Sequence, residues 1–128
     1  MTTKQWLDAY AKAWVERDPD AAAALFTADA TYGEQPYQEA FAGREGVRSY
    51  WARVTATQTN VTVRYGMPLT VGDRTAVEWW TTLENAGVPI TLAGAFMLTF
   101  DTNGLCRSLR EYWQVAEGTK QPPPGWGS

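Results

Sequence analysis

Hydrophobic period changes partway along this chain, and that change limits what it can fold into. Up to about residue 54 apolar residues recur every three or four positions; beyond it they alternate. The first spacing lays an apolar stripe along a helix, and the second lays one along a strand face. Over 3–17, Trp6, Leu7, Tyr10, Ala13 and Trp14 form a helical stripe, with Asp8 and Lys12 four apart on another face and able to pair. A second short helix starts at Asp18, an N-cap residue, with Pro19 at its first position, and runs through the alanines to about Phe26. A third spans 44–54, with Val47, Tyr50, Trp51 and Val54 as its apolar face.

The strand-like segments are 30–34, 60–66, 75–84, 90–100 and 105–117. Residues 35–43 read as a loop. Asn85-Ala86-Gly87 with Pro89 marks one turn, and Asp101-Thr102-Asn103-Gly104 marks a hairpin. Three helices therefore precede a set of long strands. The expected fold is α+β, with the helices across one face of a curved antiparallel sheet. Residues 1–117 form one domain, and the Pro/Gly-rich 118–128 is expected to be a loose tail.

Composition narrows the chemistry. The chain has no histidine, so Ser–His and Cys–His pairs and histidine metal sites are excluded. Cys106 is the only cysteine; it forms no internal disulfide and reads as a packing residue. Acid–base chemistry must come from Asp, Glu, Tyr, Lys or Arg, and neither a metal nor another cofactor is expected. A net charge of −3 without a basic run argues against a nucleic-acid partner. No apolar stretch reaches 18 residues and no leader pattern opens the chain, so no membrane partner and a cytoplasmic location are expected. Seven Trp, six Tyr and four Phe supply rings for a core, a pocket wall or a dimer face.

Three strings carry a resemblance: "ALFTADATY" after the second helix, "FAGREGVRSYW" into the third, and "FDTNGL…REYW" at the end. They resemble the nuclear transport factor 2-like superfamily, and within it the SnoaL-like group. The resemblance implies a cone-shaped α+β barrel with an internal pocket, a small, mostly apolar ligand, and a homodimer. The superfamily holds isomerases, dehydratases, epoxide hydrolases, cyclases and non-catalytic binding modules, so fold does not choose among them. Compared with bacterial ketosteroid isomerases, Tyr10 falls at the oxyanion-hole tyrosine and Glu34 at the proton-moving carboxylate. The second oxyanion donor falls on Phe96, which cannot donate a hydrogen bond, so steroid isomerisation itself is not implied. The same match turns Leu109, Glu111 and Trp113 into the pocket, with Phe96 and Leu98 on the preceding strand and Trp79, Thr81 and Leu83 on the strand before that. Trp14, Tyr32 and Trp51 complete the walls.

Each candidate has two readings. Glu34 is a desolvated base, or a strand-end carboxylate bonded to amides of the 35–41 loop. Glu111 shares the cavity as a second carboxylate, or forms an ion pair with Arg107, Arg110 or Arg64. Tyr10 donates to a ligand carbonyl, or is a core tyrosine whose hydroxyl meets Glu34 or Glu111. Asp29 and Glu39 read as solvated. The expected function is cofactor-independent acid/base catalysis of isomerase, cyclase or hydrolase type by Glu34 with Tyr10 and Glu111; the alternative is a ligand-binding or dimerising module. Trp79 and Trp80 must point to opposite sides of their strand, and Trp80 needs a cover, expected to be a second copy.

Overall fold

A computed structural model describes all 128 residues. Helix α1 spans Thr3–Val15, α2 Pro19–Ala23 and α3 Gly43–Thr55. The strands are β1 Phe26–Gly33, β2 Phe41–Ala42, β3 Gln58–Tyr65, β4 Leu69–Val71, β5 Arg74–Asn85, β6 Val88–Phe100 and β7 Cys106–Glu117. The α+β architecture is the expected one. No helix is long and apolar enough to cross a membrane.

Local chemistry explains the helix ends. Thr2 and Gln5 form a reciprocal capping box, satisfying two amides that the first turn leaves open. The Asp18 carboxylate caps α2 by accepting from the Ala21 amide at 3.1 Å. α2 stops at Ala23, earlier than its composition suggests, because Phe26 is already paired with Cys106 at the start of β1. Asp8 pairs with Lys4 at 2.8 Å rather than with Lys12. Both lysines lie one turn away, and exposed pairs differ by only tenths of a kcal/mol, so spacing alone does not select the partner.

The sheet runs β2-β1-β7-β6-β5-β3, with β4 added on β5. All pairs are antiparallel except β1 with β7, which run parallel, so the sheet is mixed. β1 joins the last strand instead of its neighbour in sequence, a long-range pairing that no local pattern encodes. α3 packs on β1 near one edge and α1 on β3 at the other, so the helical layer spans the sheet. The sheet itself is not closed into a barrel: β2 and β3 remain its edges.

Register puts the inward residues in rows across β5, β6 and β7. Thr75, Leu98 and Leu109 form one row; Val77, Phe96 and Glu111 the next; Trp79, Gly94 and Trp113 the third; Thr81, Leu92 and Val115 the fourth. Alternation along each strand thus delivers every expected inward residue to one face. The first two rows are deeply buried, with the Tyr10 ring of α1 edge-on against Phe96. Gly94 allows the strands to close here: a Cβ would lie 2.3 Å from the Tyr112 carbonyl oxygen.

The tail departs from expectation. Trp126 packs edge-on against Trp80 at 5.8 Å between ring centroids, and the Arg64 guanidinium lies over the Trp126 ring. Trp80 donates its indole N–H to the Lys120 carbonyl, and the Met67 amide donates to the Gly127 carbonyl at 2.7 Å. Residues 118–128 therefore lie on the outer sheet face, and Trp80 is covered by its own chain. The argument from Trp80 to a second copy no longer applies. The prolines favour an extended segment with little entropy to lose, which suits a strap.

Two stability measurements check this packing. Gly94→Ala is expected to lower the free energy of unfolding by about 1–3 kcal/mol in urea titration, because backbone must shift to admit the methyl. Trp126→Ala is expected to cost about 1 kcal/mol and to shift tryptophan emission to the red as Trp80 meets water.

Candidate functional site

A cavity of about 340 Å³ opens between α1, α3 and the inward face of the sheet. α1 brings Trp14 to it; α3 brings Tyr50, Trp51 and Arg53; β1 brings Tyr32, with Glu34 just past its end. The sheet adds Trp79 from β5, Ile90 and Leu92 from β6, and Glu111, Trp113 and Val115 from β7. The wall is largely aromatic and aliphatic, with two carboxylates set into it.

Of the residues expected at a site, Trp14, Tyr32, Glu34, Trp51, Trp79, Glu111 and Trp113 meet on this wall. Tyr10, Phe96, Leu98 and Leu109 do not; all four are buried behind it as core. Phe96 is stacked on Trp79 at 5.5 Å and meets the Tyr10 ring edge-on at 5.8 Å. Its row position is inward as expected, but the rings around it close off access. Tyr50, Arg53, Ile90 and Leu92 were not among the expected residues. Ile90 and Leu92 follow from extending the alternation of Phe96 and Leu98 back along β6, and Tyr50 adjoins Trp51 in the α3 stripe. No sequence signal marks Arg53.

Tyr10 is committed elsewhere. The Trp51 indole N–H donates to the Tyr10 hydroxyl at 3.0 Å, and Tyr10 donates to Tyr32 at 3.1 Å. Tyr32 in turn donates to Glu111 Oε2 at 3.3 Å. The chain of donors runs one way and ends on the carboxyl group, so Tyr32, not Tyr10, is the tyrosine in contact with it. The donors orient the Glu111 side chain on a rigid support.

Glu111 is 7% exposed and makes no ion pair. The expected arginine partners are engaged elsewhere or absent: Arg107 pairs with Asp73, Arg64 stacks on Trp126, and Arg110 forms no ion pair. Burial, with the negative charge of Glu34 adding to it, pushes the Glu111 carboxyl up to about 8; the Tyr32 hydrogen bond opposes the shift. The same burial, reinforced by Glu111, raises Tyr10, Tyr32 and Tyr50 well above the ordinary phenol range. Burial thus favours the protonated form of the Glu111 carboxyl and the neutral form of these phenols. Trp113 donates its indole N–H to the main-chain carbonyl of Glu34 at 3.2 Å, pinning the segment that carries this acid to β7.

Trp79 is 2% exposed, and its indole N–H has no acceptor in the protein. Thr81 and Tyr65 hydroxyls share that condition away from the cavity wall. No cluster of three or more acidic or cysteine side chains is placed to hold a metal ion.

Comparison with curated proteins finds no match. Among solved structures, a hypothetical protein with a ketosteroid isomerase-like fold from Catenulispora acidiphila, in complex with trimethylamine, is 28% identical. It superposes with a TM-score of 0.76 over 87% of this chain and 86% of its own. SalBIII, an epoxide hydrolase/cyclase-like enzyme in pyran ring formation in the polyether salinomycin, is 21% identical, with a TM-score of 0.78 over 89% of this chain and 94% of its own. An epoxide hydrolase of Mycobacterium tuberculosis is 15% identical, with a TM-score of 0.71 over 86% and 80%. The latter two speak for the fold alone. A family model for the SnoaL-like domain matches residues 7–109, a span holding α1 from Leu7 on, the sheet through Leu109 and all but two of the named cavity-lining aromatic and acidic residues, so the chain belongs to the SnoaL-like family.

Proposed function

We propose that this chain is a cofactor-independent acid/base enzyme acting on a small, mostly apolar molecule bound in the aromatic cavity. One observation carries the reading: Glu34 and Glu111 share one largely apolar cavity without a cationic partner for either. Two carboxyl groups in different environments separate into acid and base. Glu111, buried and protonated at neutral pH, is the acid; Glu34 at the mouth is the base. Tyr32 and Tyr10 position Glu111, and Trp14, Trp51, Trp79 and Trp113 hold the substrate. Phe96, Leu98 and Leu109 support the floor from behind.

The pair suits a reaction in which one oxygen gains a proton while another group loses one. Epoxide opening by an internal hydroxyl is of this kind. Glu111 protonates the epoxide oxygen as its C–O bond breaks, Glu34 takes the hydroxyl proton as the new C–O bond forms, and the atoms balance. Dehydration or isomerisation of a carbonyl compound needs the same two partners. The trimethylamine held by the Catenulispora relative supports a small-molecule ligand.

Turnover of a panel of hydroxy-epoxides and unsaturated ketones, followed by chromatography, tests the proposal. Glu34→Gln is expected to lower the rate by about 100-fold or more, the range for a lost general base. An unchanged rate would overturn the assignment and leave a binding module. The wild-type rate is expected to fall as pH rises through about 8, where Glu111 loses its proton.

Stability supplies an independent check that needs no substrate. The carboxyl of Glu111 is raised above its ordinary 4.5, so the folded state binds the proton more tightly than the unfolded state. Its contribution is therefore intact below about pH 4.5 and is lost progressively as pH rises toward 8. Glu111→Gln is expected to remove up to about 1.4 kcal/mol per pH unit of that slope in urea titrations.

A further inference from the structure

We propose that the ligand class of this cavity is a small alkylammonium compound that also carries an acceptor oxygen, such as an amino alcohol or amino ether. The inference rests on the reading that the cavity is the ligand site, and it names a ligand bound with Glu111 ionised, distinct from a neutral substrate turned over with Glu111 protonated.

Charge comes first. Two carboxyl groups line the cavity, and no lysine or arginine pairs with either. A buried acid without a counter-ion is costly, and its raised proton affinity is the sign of that missing partner. The single cation on the wall is Arg53, exposed at the rim with its guanidinium over the Phe41 and Tyr50 rings. A positive charge deep in the cavity has therefore to arrive with the ligand.

The walls suit that charge. Trp14, Tyr32, Tyr50, Trp51, Trp79 and Trp113 surround the space, and the negative face of an aromatic ring attracts an ammonium. Methyl or methylene groups on the nitrogen fill the same apolar surface, which a bare ammonium would not. A second polar feature is independent of the acids: the Trp79 indole N–H lacks an acceptor, in a side chain that is almost wholly buried and lines the cavity. A ligand oxygen would satisfy it once a small turn of the ring brings the N–H, closed off as it stands, to the cavity; an unpaired buried donor costs about 1–3 kcal/mol.

Binding would then exchange charge. The groups facing Glu111 are Tyr32 and Glu34 from β1 and its end, Tyr10 from α1, Tyr50 with Arg53 beyond it from α3, and Tyr65 from β3; β6 places Phe96 opposite. An ammonium entering among them stabilises the Glu111 carboxylate, and the carboxyl proton leaves to solvent. Affinity for a permanently charged ligand must therefore rise with pH until Glu111 is ionised in the free protein.

Calorimetric titration with choline and with its neutral carbon isostere, where a tert-butyl group replaces the trimethylammonium, tests this. Choline is expected to bind at least about tenfold more tightly than the isostere at about pH 9, to weaken by up to about tenfold per pH unit toward pH 6, and to release a proton near neutrality. Glu111→Gln is expected to remove both the pH dependence and the proton release, and Trp79→Phe to weaken choline. Equal or tighter binding of the isostere, no binding of choline, or a pH dependence that survives Glu111→Gln would overturn the inference. The two readings fail separately. Turnover of neutral substrates lost in Glu34→Gln while choline fails to bind leaves the acid/base reading standing alone; choline binding with turnover unaffected by Glu34→Gln leaves the cation site alone.

Discussion

The hydrogen bond from Tyr32 to Glu111 ties together parts of the fold that have little else in common. Tyr32 lies on β1, just after the helical hairpin, and Glu111 lies on β7, at the end of the chain. They meet because β1 and β7 run parallel, with Tyr32 beside Leu109 and Glu111 two residues further along. Behind that contact stand Tyr10 of α1 and Trp51 of α3, each donating toward it. One carboxyl group is thus held by two helices and two strands. A buried acid with so few donors is expensive by itself. It is tolerated because the rest of this layer is a dense set of rings in edge and stacked contacts.

This arrangement separates support from chemistry. Phe96, Leu98 and Leu109 fill the narrow part of the interior together with Tyr10, while the wider part between α3 and the ends of β5, β6 and β7 stays open. An aromatic residue at position 96 fits the supporting role: its ring bridges Tyr10 and Trp79. On the function proposed, the chemistry lies further out, at Glu111 and Glu34 beside Trp79. Relative to the ketosteroid isomerase pattern, the polar centre is shifted from a Tyr/Asp donor pair to a carboxylate pair among tryptophans. On the proposals above, that shift goes with proton transfer or cation recognition rather than with stabilising an oxyanion.

Some of this was legible in the amino-acid order. Helical spacing found the buried faces of α1 and α3, alternation divided β5, β6 and β7 into two faces of which the family resemblance chose the inward one, and turn residues found both hairpins. Glu111 and Trp113 on one strand face follow from the period of two alone. The depth of each residue did not follow. Leu109, Glu111 and Trp113 share a face, yet only the last two reach the cavity, because depth depends on which helix lies across each row. Tyr10 has the right spacing to Glu34 for a site pair, but Trp51 and Tyr32 take up its hydroxyl. The tail offered only a composition, which says that it resists helix and sheet and nothing about where Trp126 lands.

By itself, then, the sequence determined the kinds of the long elements, the alternate faces of each strand, and the restriction of any acid–base chemistry to Asp, Glu, Tyr, Lys or Arg in a chain without histidine; the short β2 and β4 left no such mark. These are short-range matters of periodicity, capping and side-chain chemistry. Tertiary structure alone decided that β1 joins β7, that Glu34 and Glu111 share one cavity, that no cation reaches either of them, and that Trp80 is covered from within. The physical reason is the same in each case. Desolvation and charge pairing depend on what arrives from elsewhere in the chain, and only the folded arrangement sets which group arrives.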